Sequence, residues 1–465
     1  REAIIAANRT PNGAAPDSIK FDIGGGGIQT IVPLTALPII TQSVVLDGST
    51  QPGAVCPAPI IELNGGKLSG SESGLVVAAT DVTISGLAIH SFPQYGIYLQ
   101  KGSGNTVACT YVGLDAGGIA DRGNGLQGIR IDAGPQLIGG TDPADRNVIS
   151  GNSSGVYLQG TAAADVVIQG NYIGTNAAGD GTVPNSIEGV RINGGPRTRI
   201  IDNVISGNST GVSIRGHDAV IQGNLLGTDP TGMIDLGNVD GINVGTGLRA
   251  MIGGTTAAQR NVISGSGDAG VQIGGDSATI VGNYIGVAAD GSTPMGNFRG
   301  IVILTGSEGN VIGGTGANEG NIIAHSLADG VNLYGATTFA NPIRGNSIFL
   351  NGGLGIDLDP NGVTPNDLGD ADTGPHNLTN FPFFEKAELN PTAGTLELTG
   401  WSRPSTTIDV YIANTDATEF GEGETWLVTL TEGDASDLDA SVTAYSHPQA
   451  GSDSTSRFRF VISTP

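Results

Sequence analysis

The chain has 465 residues, 77 of them Gly, and its 44 Asp and Glu against 20 Lys and Arg leave a formal charge of −24. Glycine at more than twice the ~7% of ordinary proteins, with no three-residue period, excludes collagen, and short, regularly spaced groups of Val, Ile and Leu exclude a disordered chain. Glycine throughout excludes long helices, no apolar run approaches the ~18 residues of a membrane span, and the acidity makes nucleic acid an unfit partner.

In chain order, Arg1-Glu2-Ala3-Ile4-Ile5-Ala6-Ala7-Asn8 reads as a short helix with an Ile/Ala face, suited to cover the first apolar layer. Thr30–Val32, Val44–Leu46, Ile60–Leu63 and Leu75–Val77 read as short strands. Cys56 and Cys109 are the two thiols. Two cysteines make no disulfide framework and no C-x-x-C site, and a single bridge between them stays open.

From residue 96 the chain repeats. Gly-Ile-Tyr-Leu (96–99), Gly-Ile-Arg-Ile (128–131), Gly-Val-Tyr-Leu (155–158) and Gly-Val-Arg-Ile (189–192) are followed by copies at 211–214, 241–244, 270–273, 300–303, 330–333 and 355–358. Asn-Val-Ile-Ser-Gly recurs at 147–151, 203–207 and 261–265, and Gly-Asn-Tyr/Leu-Ile/Leu-Gly at 170–174, 223–227 and 282–286. A period of 20–50 residues signals a solenoid or a propeller, and strands of only a few residues suit the sides of a parallel β-helix, here of about 12–14 coils. Alternation sends Val156 and Leu158 inward and Tyr157 outward. Asn147, Asn171, Asn203, Asn224, Asn261, Asn283, Asn321 and Asn346 are expected to stack as a ladder that satisfies corner backbone groups.

The pattern stops near Phe381, Phe383 and Phe384. Residues 1–384 are therefore expected to form the β-helix, and 385–465 a small Ig-like β-sandwich with strands at 395–400, 407–412, 425–430 and 457–462, and a fifth at Val442–Tyr445. That count is short of the about seven strands such a fold uses. Phe458-Arg459-Phe460-Val461-Ile462 then reads as an apolar open edge, a route to self-association through the sandwich or the helix end.

The Arg-Glu-Ala start, the Asn-Val-Ile-Ser-Gly-Asn and Gly-Asn-Tyr-Ile-Gly-Thr repeats, the Ile-Gly-Gly-Thr segments (138–141, 252–255, 312–315) and Gly-Val-Thr-Pro-Asn-Asp (362–367) resemble bacterial exported or cell-surface β-helix repeat proteins with a C-S-L-R-E-A-type leader and a C-terminal β-sandwich. The resemblance implies an all-β chain, a right-handed parallel β-helix followed by the sandwich, and an extracellular or cell-surface location. Relative to that family the leader's Cys-Ser-Leu is missing and the chain stops at Ser463-Thr464-Pro465, so both ends read as cut or processed.

Two groups of residues carry possible chemistry. The outward row Tyr98, Arg130, Tyr157, Arg191, Ser213 and its neighbour Gln100, Asp132, Gln159, Asn193, Arg215 form one face. Arg suits uronate or sulfate, and Tyr offers a stacking surface and a phenol for proton transfer. An ordinary solvated face, with Tyr and Arg stabilising each other across strands, competes with that reading. Asp357, Asp359 and Asn361 open like a calcium loop, with Asp367, Asp370 and Asp372 close behind. Leu368 stands at position twelve in place of Glu, which excludes an EF-hand and leaves a structural calcium or an exposed acidic loop. The leading functional expectation is a non-enzymatic exported rod for adhesion, spacing or end-to-end assembly. The alternatives are a polysaccharide lyase or glycoside hydrolase using Tyr98, Arg130, Asp132, Tyr157 and Arg191, and a glycan-binding module without turnover.

Overall fold

The computed structural model describes residues 1–13, 15–359, 362–367, 372–414, 421–438, 443–444 and 455–463. Three parallel sheets run the length of the repeat region, two of 12 strands and one of 11, and each strand pairs with the equivalent strand one coil away. At ~4.8 Å per coil, 12 coils make a rod on the order of 60 Å long.

Aliphatic columns fill the interior. Ile138, Ile168, Ile200, Ile221, Ile252, Ile280 and Ile312 are register neighbours in the first sheet. In the second sheet, Ile149, Ile173, Ile205, Leu226, Ile263, Ile285 and Ile323 do the same. The third sheet adds Ile129/Ile131, Val156/Leu158, Val190/Ile192 and Val212/Ile214. All of these side chains are fully buried. Each is worth ~1.5–3 kcal/mol of transfer free energy, realised only against the coils on either side.

Asparagines tie the coils at the corners. Asn147, Asn171, Asn203, Asn224, Asn261, Asn283 and Asn321 each donate an amide hydrogen to the side-chain oxygen of the next in that order, ending at Asn346, over 2.9–3.0 Å. A second ladder runs Asn124, Asn152, Asn185, Asn208, Asn238. Two of its five members, Asn152 and Asn208, end Asn-Val-Ile-Ser-Gly-Asn, so in those copies one hexapeptide supplies two corners.

Glycines act in two ways here. Gly139 has φ +88°, a corner conformation that costs other residues energy. Gly155, which opens a third-sheet strand, serves a close approach instead: a Cβ there would lie 2.5 Å from the Gly189 carbonyl of the next coil.

Both ends are covered. At the start, helix Glu2–Arg9 buries Ile4 and Ala7, and Asn8 donates to the Ile39 carbonyl and accepts from the Thr41 amide. At the far end the C-terminal unit covers the last coil, where the buried Glu422 carboxylate accepts from the Asn351 amide side chain (2.8 Å) and backbone (3.1 Å). Arg344 clamps Asp409 with two 2.7 Å bonds, and the Gly345 N–H donates to the Tyr411 hydroxyl.

The C-terminal unit pairs Phe383–Asn390, Thr395–Ser402, Thr455–Ser463 and Thr443–Ala444 in one antiparallel sheet, and Thr407–Asn414 with Glu422–Thr431 in a hairpin. One feature differs from expectation: Phe383–Asn390 is itself a strand, where the phenylalanine cluster reads only as a boundary. The terminal strand pairs along Ser456–Ser463 with Thr395–Ser402, whereas Thr443–Ala444 reaches only Thr455 and Ser456 on its other side, and Phe458 and Phe460 are buried. No helix among the described residues is long and apolar enough to cross a membrane.

The ladder account predicts a specific cost. Asn203→Ala strands donors and acceptors on both neighbouring coils and is expected to lower unfolding stability by roughly 2 kcal/mol or more, against less than about 0.5 kcal/mol for the exposed Ser209→Ala. Denaturant unfolding of the two variants checks this, and equal midpoints would contradict it.

Candidate functional site

Strand register places Tyr98, Arg130, Tyr157, Arg191 and Ser213 side by side on the outward face of the third sheet. The side chains form one connected network. Arg130 grips Asp132 through Nε at 2.9 Å and Nη2 at 3.3 Å, and its Nη1 donates to the Tyr95 hydroxyl at 3.0 Å. The Tyr98 hydroxyl donates to Asp132 Oδ2 at 2.6 Å. The Arg130 guanidinium also stands 5.3–5.8 Å from the ring centroids of Tyr95, Tyr98 and Tyr157, and Arg191 is 5.4 Å from the Tyr157 ring. Tyr157 thus lies between two cations.

The adjoining row is bonded too. Tyr157 donates to Gln159 Oε1 at 2.5 Å, and Asn193 donates to both the Tyr157 hydroxyl and Gln159. Gln100 lines an open cleft of about 510 Å³ beside Tyr98, together with Glu72, Gln94 and Tyr95. Arg215 closes the row, exposed, its guanidinium making no hydrogen bond or ion pair with any described residue. These are the polar, aromatic and charged groups from which carbohydrate sites are built.

Tyr95, Ser154 and Glu188 complete the face and were absent from the sequence reading. Glu188 pairs with Arg191 at 2.8 Å and accepts from the Ser154 hydroxyl at 2.7 Å. Each of the three sits just before the Gly that opens a third-sheet copy, at positions 95, 154 and 188. Extending the repeat register one residue upstream of the glycine finds this third row.

Burial, then the contact with Asp132, pushes the Tyr98 phenol above its ordinary value. Burial works against the charge on Arg130, but the Asp132 hydrogen bonds outweigh it and hold the guanidinium charged. At neutral pH Tyr98 is therefore a protonated phenol whose hydrogen already points at a carboxylate.

Asp132 and Glu188 are too far apart to serve as a glycosidase pair. Five positions along the strands and two strands across give roughly 19 Å between their backbones, taking ~3.3 Å per residue and ~4.8 Å per strand. Paired carboxylates in such enzymes are about 5–9.5 Å apart.

The acidic junction is arranged differently. Asp357 accepts from the Gly362 N–H at 3.2 Å, and burial first, then the nearby Asp329 and Asp359 charges, push its carboxyl above the usual range. Asp367 pairs with Asn380 through its backbone. Asn361 and Asp370 lie outside the described residues, as does Leu368. Among the described residues, no three His, Cys, Asp or Glu side chains come together as a metal site, Asp359 and Asp372 included. Cys56 and Cys109 form a disulfide.

A family model described as a right-handed beta helix region matches residues 73–226. The fold is a right-handed parallel β-helix. Solved structures similar to it include the A-module of the Azotobacter vinelandii mannuronan C-5 epimerase AlgE6, with 16% identity, 78% of this chain and 91% of that chain covered, and a TM-score of 0.48. An alginate lyase from Paenibacillus sp. matches with 16% identity, 76% and 94% coverage and a TM-score of 0.35. The enzymatically active domain of the bacteriophage CBA120 tailspike protein 2 matches with 12% identity, 96% and 76% coverage and a TM-score of 0.39. No curated protein sequence matches the chain.

The expectation of a non-enzymatic rod is corrected. The similar structures just described carry the names of an epimerase, a lyase and an enzymatically active domain. At such identities the likeness concerns the fold, and any chemistry has to be argued from the face itself.

The Tyr98 shift has a defined sign. Its folded value is raised, so the stability it contributes is complete below pH about 10, the unfolded phenol's range, and is lost as pH rises through the folded value. Tyr98→Phe is expected to flatten part of the stability loss above pH about 10 in chemical unfolding. An unchanged alkaline slope would contradict the Tyr98–Asp132 contact.

Proposed function

We propose that the chain is an enzyme acting on a polysaccharide laid across the Tyr95–Arg191 face of the third sheet. The observation that carries this reading is the Tyr98 hydroxyl held at 2.6 Å from Asp132, itself gripped by Arg130. That arrangement fixes a phenol oxygen beside a ready proton acceptor, the basis of general acid–base catalysis.

The separation of Asp132 from Glu188 favours elimination over hydrolysis with two carboxylates. In elimination from a uronate, the Tyr98 oxygen takes the C5 proton as its own proton passes to Asp132. The C4–O4 bond breaks, its electrons leave with O4, and the C5–H electrons form the C4=C5 double bond. O4 is protonated by Tyr157, whose oxygen is left between Arg130 and Arg191. Arg215, exposed and unpaired with described residues, offers a cation to a carboxylate further along the polymer. The overall charge of −24 opposes polyanions at long range, so this local cation display is where an acidic sugar would be accepted.

The Cys56–Cys109 bridge, with no free cysteine, and the resemblance to exported β-helix proteins support action outside the cytosol.

The test is a product assay on acidic and neutral polysaccharides, reading new reducing ends and the ultraviolet absorbance of unsaturated products. The expected result is unsaturated product from a uronate polymer, with Asp132→Asn and Tyr98→Phe slowing release by about 100-fold or more. Binding without products, or full activity in both variants, would overturn the reading.

A further inference from the structure

The outward side of the second sheet carries a cleft of about 280 Å³, on a different sheet from the tyrosine–arginine face. Its floor is Tyr172, Val204 and Leu225, register neighbours on successive coils. Arg146 and the short turn Pro143–Asp145 wall one side, and Pro230 closes another. Asp142 and Asp202 stand at the rim, both exposed.

The Arg146 guanidinium lies 4.1 Å over the Tyr172 ring. It makes no hydrogen bond or ion pair with the described residues, and its Nε is buried without a partner. The chain contains its own comparison. Arg260-Asn261-Val262-Ile263-Ser264 repeats Arg146-Asn147-Val148-Ile149-Ser150, and Arg260 stacks 4.2 Å over Tyr284 in the same way. There Nε donates to the Gly282 carbonyl at 3.1 Å and Nη1 to the Tyr284 hydroxyl at 2.9 Å. The stack at Arg260 is closed by hydrogen bonds to the next coil, whereas the stack at the cleft keeps its donors unused.

We propose that this cleft is a second carbohydrate-binding site, holding one or two sugar units of the polymer without reacting with them. The apolar face of a sugar ring fits Val204, Leu225 and Pro230, its hydroxyl oxygens can accept from Arg146, and its hydroxyl hydrogens can reach Asp142 and Asp202. The cleft sits near the lower end of the roughly 300–1,000 Å³ common for small-ligand pockets. A mixed set of one cation and two carboxylates suits neutral hydroxyls better than a lone anion, and the arginine gains the partners that its counterpart at 260 already has. Only the class of ligand rests on the enzymatic reading above. Holding the polymer at a second point would raise its effective concentration at the reacting face.

The test is native electrophoresis of the full chain through gels containing alginate or, separately, a neutral β-glucan. At least one polymer is expected to retard the protein. Arg146→Ala is expected to weaken retardation about 5-fold, the loss of one or two ordinary hydrogen bonds, while Arg260→Ala runs as the wild type. Arg146→Lys keeps the charge without the planar fork and is expected to fall between, which separates lost recognition from lost folding. Product release from a short soluble oligosaccharide reports on the other face and is expected to be unchanged in Arg146→Ala. Failure of that release with retention intact would count against the reacting face alone. Retardation of Arg146→Ala equal to the wild type, or free migration of the wild type in both gels, overturns the second site.

Discussion

One contact recurs through the molecule and sets the rest: a buried asparagine amide handed from each coil to the next. A coil of about 25 residues cannot close a core alone, so every inward isoleucine is buried by the turns above and below. The corners that make this possible bend the backbone away from its ladder bonds. Asn203 answers that need by accepting from Asn171, donating to Asn224, and bonding the carbonyls of Ile168 and Ile201. Left unpaired, such groups would each cost ~1–3 kcal/mol. The ladder therefore fixes both the stacking and its register.

Register in turn places the chemistry. Tyr98, Arg130 and Tyr157 are 27 to 59 residues apart along the chain, yet lie on adjacent strands because the corners repeat faithfully. The face they form is almost fully paired internally, Arg130 with Asp132 and Arg191 with Glu188. Pairing keeps a strongly acidic chain from flooding the face with negative charge, and holds the tyrosines in fixed orientations by stacking on cations. The C-terminal unit belongs to the same logic, since Glu422 supplies an acceptor to Asn351, a corner asparagine of the last coil, where another coil would otherwise be needed.

Much of this is written in the repeat. The ten glycine-led strands, their inward aliphatic pairs and the eight asparagines of the first ladder follow from a two-residue alternation and from the Asn-Val-Ile-Ser-Gly and Gly-Asn-Tyr/Leu-Ile/Leu-Gly segments with their degenerate copies. The Asn that ends Asn-Val-Ile-Ser-Gly-Asn, Asn152 or Asn208, supplies two of the five members of the second ladder and carries the same signal. What escaped the sequence was set by distance or by a partner. Glu188 and Tyr95 lie just ahead of the repeat glycine, where the strand's reach was undercounted. The Cys56–Cys109 bridge joins coils far apart in sequence, and spacing alone cannot announce such a pair.

The central claim is that the corner asparagines are locked, coil upon coil, inside a dry interior. Nuclear magnetic resonance of the side-chain amides during hydrogen–deuterium exchange tests it most directly. The Asn171, Asn203 and Asn224 amide protons are predicted to resist exchange as strongly as the backbone amides of the central strands. Exchange of those side chains at the rate of exposed asparagines would contradict the ladder, and with it the register that assembles the tyrosine–arginine face and the Arg146 cleft.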